Sequence, residues 1–315
     1  MIRPRCASVA AALLADVLFG EPPAAAHPVV LMGCAISAFE GRVLVLKGER
    51  RLRLTGLFLA AALPTLSFVL TQLALRLTPP KLRRLLEVGL LSTALSMCGL
   101  TRSALAVERE LDRGDLEMAR ARVKELVGRD TECLPPGEAA RAAVESVAEN
   151  TSDGVVAPML YGLFFGAPGA LAYKAVNTLD SMVGYPQPPY KVLGWAPARL
   201  DDLANLLPAR LTALSVALVS GRGLTTLATA RRYGSLTRSP NAGRVEAAFA
   251  GALDLRLGGA NSYGGVFRQG PILGSGHPPE AADIRRAVSL MRRSCLLLVA
   301  LALAAQCIIG GRIDG

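Results

Sequence analysis

The sequence predicts an all-α, polytopic integral membrane protein whose connecting polar regions are themselves helical. Three observations lead there. The chain of 315 residues is 51% apolar, and its mean hydropathy is +0.37. That is too apolar for an ordinary soluble domain, while 19% charged residues are too many for a bare bundle of spans. Apolar segments recur near residues 6–20, 28–46, 54–77, 85–106, 155–173, 203–221 and 294–311. Basic groups sit at their edges: Arg50, Arg51 and Arg53 before Leu54, Arg83 and Arg84 before Leu85, and Arg292 and Arg293 before the last segment. This placement assigns the net charge of +10 to positive-inside loops against a lipid bilayer. No nucleic-acid-binding motif accompanies it, so nucleic acid is not an expected partner.

Taken in order, the first segment is short and contains Asp16. Arg3 and Arg5 ahead of it, and Ala24-Ala25-Ala26 after it, imitate a cleaved signal peptide. Asp16 and Glu21 fit that reading poorly, so a retained helix is expected. The third, fifth and last segments are the firmest, and Pro64 predicts a kink in the third. Residues 107–153 read as a soluble helical insert. LDRGD turns the chain, Asp115 caps LEMARARVKELV, and Pro135-Pro136-Gly137 breaks it before the next helix. Residues 222–285 form a second polar region, opening with the basic amphipathic piece TTLATARRYG. One membrane-embedded domain over 1–315 is expected. The segment 155–173 poses a topological problem. If it and 203–221 both cross, the motifs between them are cut off from the other polar regions. Either 155–173 is re-entrant, or the motifs converge near one interface, and Arg231, Arg232, Arg285 and Arg286 favour the cytoplasmic side.

Polar residues crowd both ends of the uncharged run Val155–Tyr173. Glu145, Glu149 and Asp153 recur every four residues, one acidic stripe if helical, and Asn150 lies among them. A solvated helix face is the plain alternative. Lys174, Asn177 and Asp180 follow the run at spacings of three, which suits either a helix-end cluster or a site. ARLDDLANLLPAR supplies Arg199, Asp201, Asp202, Asn205 and Arg210, with Asp201 and Asn205 on one face. A capping aspartate with a neighbouring ion pair explains part of it, but not two adjacent aspartates leading into a segment that still carries Asn and Arg. In SPNAGR, Ser239 or Asn241 can cap a helix whose N-terminus suits phosphate. Glu246 is candidate polar lining, and Gly243, Ala247 and Gly251 mark a close-packing face. LGGANSYGG is either a plain turn or a loop that approaches a ligand. There is no Walker-type phosphate loop. The six cysteines are scattered packing residues, and two histidines, each followed by proline, make a histidine-based metal site improbable while leaving oxygen-ligated magnesium open.

Read together, GEPPAAAHPVVLMG, ESVAENTSDGVVAP, AYKAVNTLDSMVGY, ARLDDLANLLPARL, SPNAGRVEAAFAGAL and LGGANSYGG resemble the CbiB/CobD family of cobalamin biosynthesis, in the family's order and over nearly the whole chain. The resemblance implies a multi-pass cell (inner) membrane protein with its site facing the cytoplasm. It implies an ATP- and magnesium-dependent amide ligase that joins aminopropanol phosphate, or aminopropanol, to a propionate of adenosylcobyric acid. Adenosylcobinamide phosphate is the implied product. On this reading Glu145, Glu149, Asp153, Asp180, Asp201 and Asp202 form the catalytic pool, and Glu149, Asp153 and Asp202 are the candidate magnesium ligands. Substrate contacts fall to Asn150, Lys174, Asn177, Arg199, Asn205, Arg210, Ser239, Asn241, Glu246, Asn261 and Tyr263. A homo-oligomer, or association with other cobalamin-pathway enzymes, is left open. Two rivals keep the spans without ligation: an AmpE-like regulatory or sensory membrane protein, and a transporter whose path is lined by polar span ends.

Overall fold

A computed structural model describes residues 5–23, 27–43 and 48–311; the alanines at 24–26 lie outside them. The chain runs through α1 (Cys6–Phe19), α2 (Pro28–Val43), α3 (Glu49–Leu77), α4 (Pro80–Ser92), α5 (Met97–Asp112), α6 (Leu116–Lys124) and α7 (Pro136–Asn150). A π-helical turn (Thr151–Val156) leads into α8 (Ala157–Val183), α9 (Tyr190–Leu193), α10 (Trp195–Ala204), α11 (Leu206–Val219), α12 (Gly223–Tyr233) and α13 (Ala242–Leu253). One antiparallel hairpin, β1 (Leu257–Tyr263) and β2 (Val266–Leu273), precedes α14 (Ala281–Gly311).

The fold is helical and membrane-spanning, as expected. Four helical stretches are long and apolar enough to cross a bilayer by length and composition, Glu49–Leu77, Pro80–Asp112, Pro136–Val183 and Ala281–Gln306, of which the third is broken by a reversal at Gly166. Trp195–Ala204 and Leu206–Val219 qualify only together, as a bent pair. The first apolar segment is a helix of 14 residues, about 21 Å long at 1.5 Å per residue, and so short of a hydrocarbon core of about 30 Å. α3 runs on through Pro64.

The chain divides into two compact units. One comprises Met1–Ser96, Ala157–Asn205 and Leu303–Gly315; the other comprises Met97–Val156 and Leu206–Ala302. In the first unit α2, α3, α4 and α10 pack on α8, and Ile36, Leu59, Leu179, Val183 and Leu193 form a shared core. Leu54, Phe58, Leu66, Val69, Leu70 and Leu73 stay exposed along α3, a surface suited to lipid rather than water.

α8 is not one rod. Gly166 has φ 71° and ψ −163°, conformations that a helix does not contain, and Pro168 follows it. On a continuous helix Tyr161 and Tyr173 would stand about 18 Å apart. Their rings instead stack with centroids 5.1 Å apart. The chain therefore doubles back at Gly166 into a helical hairpin, the form that a re-entrant segment takes. Backbone groups at the turn are met from outside: the Arg5 N–H donates to the Leu163 carbonyl at 3.2 Å, and Arg5 pairs with Glu87 at 3.3 Å.

In the second unit α7 is buried along Ala139–Ala148, an alanine-rich helix that lets its neighbours approach closely. It packs on α5, α6, α13 and β1. Residues 107–153 fall in the same compact unit as residues 206–302. Asp115 caps α6 as expected, accepting from the Met118 N–H at 3.0 Å. The π turn was not foreseen. Pro158 brings no N–H to bond the residue four before it, and the ladder widens just ahead of it.

Candidate functional site

The second unit carries an open cavity of about 290 Å³. Its walls come from the segment Leu126–Arg129 after α6, the α7 residues Glu145, Ser146 and Glu149, and the β hairpin. Glu246 of α13 and Thr237 complete it. Five residues singled out in the sequence meet here: Glu145, Glu149, Glu246, Asn261 and Tyr263.

The wall is held by a buried charge network. Arg129, Arg141 and Glu145 are 8%, 4% and 9% exposed. Both Glu145 carboxylate oxygens are engaged. Oε1 accepts from Arg141 Nη1 at 2.8 Å and from the Gly258 N–H at 2.7 Å, and Oε2 accepts from Arg129 Nη2 at 2.6 Å. Arg141 also donates to the Ala260 carbonyl and to Asn261 Oδ1, each at 3.0 Å, and to Glu138 Oε2 through Nε at 2.9 Å. Arg129 Nη1 donates to the same Asn261 oxygen. Buried charges are tolerated only when so paired. The network pins the base of the hairpin to α7. At its far end Asp130 holds the turn, accepting from Ser262 Oγ at 2.6 Å and from the Gly264 and Gly265 N–H groups at 2.9 and 2.8 Å. Those three donors hold the Asp130 carboxyl below its ordinary range, the Ser262 bond foremost.

Two features of the cavity point to a ligand. Arg129, a lining residue, has a buried Nε with no hydrogen-bond partner among the described residues. Glu246 is raised well above the ordinary carboxylate range. Burial is the first cause, the charges of Glu145 and Glu149 come next, and Arg129 and Arg141 oppose them.

Other predicted residues of this unit lie outside the lining. Asn150 Nδ2 donates to the Ser146 carbonyl at 3.0 Å, and Asp153 falls in the π turn. Ser239, not Asn241, supplies the capping oxygen of α13, accepting from the Asn241 and Ala242 N–H groups at 3.3 Å each. Arg210 Nη1 donates to the Leu206 carbonyl at 2.6 Å and to Asn241 Oδ1 at 3.4 Å.

The first unit holds a separate polar group. Lys174 Nζ donates to Asn177 Oδ1 at 3.3 Å. Asn205 Nδ2 donates to Asp201 Oδ2 at 3.0 Å, the shared face that the spacing predicted, and Tyr173 donates to Asn205 Oδ1 at 2.8 Å. Asp202 pairs with Arg199 at 3.3 Å near the surface, and the Asp180 carbonyl accepts from the Gly184 N–H at 2.7 Å. His27 caps α2 through Nδ1, accepting from the Val29 N–H at 3.3 Å. Burial lowers its pKa, Glu21 raises it, and Lys174 lowers it further.

Among the described residues, no three His, Cys, Asp or Glu side chains gather as a metal site. Of the expected magnesium ligands, Glu149 and Asp153 fall in one unit and Asp202 in the other. Sequence reasoning missed Arg129, Asp130, Arg141 and Thr237. None of them sits in a spaced motif; Arg141, four before Glu145, had the one available signal, an i,i+4 opposite-charge pair.

Comparison with known proteins adds an independent finding. The model of the family described as CobD/Cbib protein matches residues 9–291. The chain is 44% identical to the cobalamin biosynthesis protein CobD of Chromobacterium violaceum, over 95% of this chain and 96% of that one. It is 42% identical to the protein of that name from Klebsiella pneumoniae subsp. pneumoniae, over 92% and 94% of the two chains. For the Synechocystis protein of that name the identity is 41%, over 84% and 81%. No solved structure matches.

Proposed function

The chain belongs to the CobD/Cbib family of cobalamin biosynthesis, and on that premise we propose that it is an ATP-dependent amide ligase of the membrane. In this reading ATP phosphorylates a propionate of adenosylcobyric acid, giving an acyl phosphate and ADP. The nitrogen of (R)-1-aminopropan-2-ol O-phosphate, or of aminopropanol, attacks the acyl carbon. The C–O bond to phosphate breaks, phosphate leaves, and the nitrogen gives up a proton to a base. The product is adenosylcobinamide phosphate, or adenosylcobinamide from the unphosphorylated amine.

The observation that carries the proposal is the composition of the cavity in the second unit. Its volume of about 290 Å³ lies at the lower edge of ligand pockets, about 300–1,000 Å³. That suits a small phosphate-bearing amine or a polyphosphate tail. Arg129 in the lining is the cation we assign to the phosphate. Glu246, with its raised carboxyl, is the base we assign to the amine proton. Magnesium brought by phosphates needs only one or two protein carboxylates, and Glu149 in the cavity wall meets that need. When bound, the ion offsets charge on the phosphoryl oxygens. Glu145, with both oxygens engaged by arginines and a backbone N–H, orients the wall. Lys174, Asn177, Asp180, Asp201 and Asn205 are polar groups in apolar surroundings, costly to keep there without a use, and we assign them to substrate binding within their own unit.

Product formation in membranes carrying single substitutions tests this assignment. Glu246→Gln, Glu149→Ala, Asp180→Ala and Asp201→Ala are each expected to lower turnover, the first by about 100-fold or more. Near wild-type rates in all four variants place the chemistry elsewhere.

A further inference from the structure

Between Gly221 and Arg244 the chain carries five arginines and no acidic residue. α12 lies in this stretch and is buried on one side only. Thr226 and Ala230 face inward, and the helix packs on α13 and α11. The opposite side presents Leu224, Leu227, Ala228 and Arg231, spaced by three and four so that they form one strip. Leu224 is 89% exposed. Arg232 and Arg238 flank the strip, also exposed. Of the basic residues here, Arg222 is paired, with Asp254 at 3.3 Å.

The apolar strip does not begin with α12. Leu207, Leu214 and Leu218 are exposed on α11, and α11 belongs to the bent pair that is together long and apolar enough to cross a membrane. α11 ends at Val219, and α12 begins at Gly223 after a turn at Gly221. A helix joined this closely to a membrane segment starts at the level of the headgroups. Leucines on its outer face suit the acyl boundary, and arginines beside them suit the phosphates.

We propose that α12 is an interfacial helix that seats on the bilayer and binds anionic lipid headgroups through Arg231, Arg232 and Arg238. The commitment to lipid rests on charge complementarity and on continuity with the exposed leucines of α11. The wall opposite, α13, carries Glu246, and Thr237 of the connecting loop lines the cavity. The lipid contact therefore lies one helix away from the site without forming part of it.

The test uses the full chain in nanodiscs of phosphatidylcholine alone or with increasing phosphatidylglycerol. A fluorophore is placed at Leu224→Cys in a chain with Cys34→Ser, Cys98→Ser, Cys133→Ser and Cys307→Ser, and quenching by brominated acyl chains reports its depth. The label is expected to enter the boundary as phosphatidylglycerol rises. Arg231→Glu with Arg232→Glu should raise the phosphatidylglycerol needed by fivefold or more, from about fivefold in partitioning per arginine near an anionic surface. Arg231→Lys with Arg232→Lys keeps the charge and should keep the wild-type response, which separates lost binding from lost folding. A label that stays in water at every lipid composition overturns the proposal. So does quenching that ignores phosphatidylglycerol, or a charge reversal without effect. None of these outcomes depends on ligase activity, so the proposal stands or falls apart from the functional reading.

Discussion

Glu145 and Glu246 are two carboxylates in one cavity wall with opposite relations to stability. Glu145 sits between the guanidinium groups of Arg129 and Arg141. Removing its charge leaves the buried Arg129 without a carboxylate, while Arg141 keeps Glu138, and Glu145→Gln is expected to destabilise the protein by about 3 kcal/mol. Thermal unfolding in detergent measures it, and an unchanged melting temperature contradicts the anchoring role. Glu246 is the reverse case. Its folded pKa is raised above the unfolded value. The folded state then holds the proton more tightly, so the cost is complete above the raised pKa and fades as pH falls through it towards the unfolded value. Glu246→Gln is expected to stabilise the protein by about 0.5–2 kcal/mol at neutral pH while product formation collapses. The gain should shrink on acidification, and a variant that loses stability as well as activity refutes this assignment. Of the cavity residues, Glu145, Glu149 and Glu246 were legible in the sequence because acids beside apolar segments are conspicuous. Arg129 and Asp130 were not, because a single basic or acidic residue in a polar connection looks like any other until the fold brings a partner 132 residues away against it.

At the scale of elements, hydropathy located the helices well and their breaks poorly. The run Val155–Tyr173 is uncharged throughout and resembles a span. Its reversal depends on one residue, Gly166, whose conformation no apolar count reveals. A side chain there would meet the Arg5 guanidinium and Glu87, besides the strain of a positive φ. Gly166→Ala is expected to cost about 1–3 kcal/mol, read as a lower unfolding temperature. An unaffected protein would mean that the turn does not need glycine. The hairpin of β1 and β2 was legible in principle. Gly264-Gly265 between SY and VF is a two-residue turn signal, and both glycines have positive φ, 58° and 77°. Glycines at 258, 259 and 270 hid the alternation that strands usually show.

For the whole molecule, composition was enough to give a helical membrane protein, and the ordered motifs were enough to give its family. The division into two compact units was not legible. The chain leaves the first unit at Ser96, returns at Ala157, leaves again after Asn205 and returns at Leu303. Such threading leaves no linker, composition shift or charge run at its crossings. The predicted polar residues accordingly separate into a cavity group and a second group, a distinction that spacing along the chain does not contain. The most direct test of the ligase reading incubates membranes containing the chain with adenosylcobyric acid, aminopropanol phosphate, ATP and magnesium, and follows the corrinoid by mass. The account predicts adenosylcobinamide phosphate, formed in step with ADP and absent when ATP is withheld. Corrinoid taken up without product, or no product from a folded protein, would contradict it.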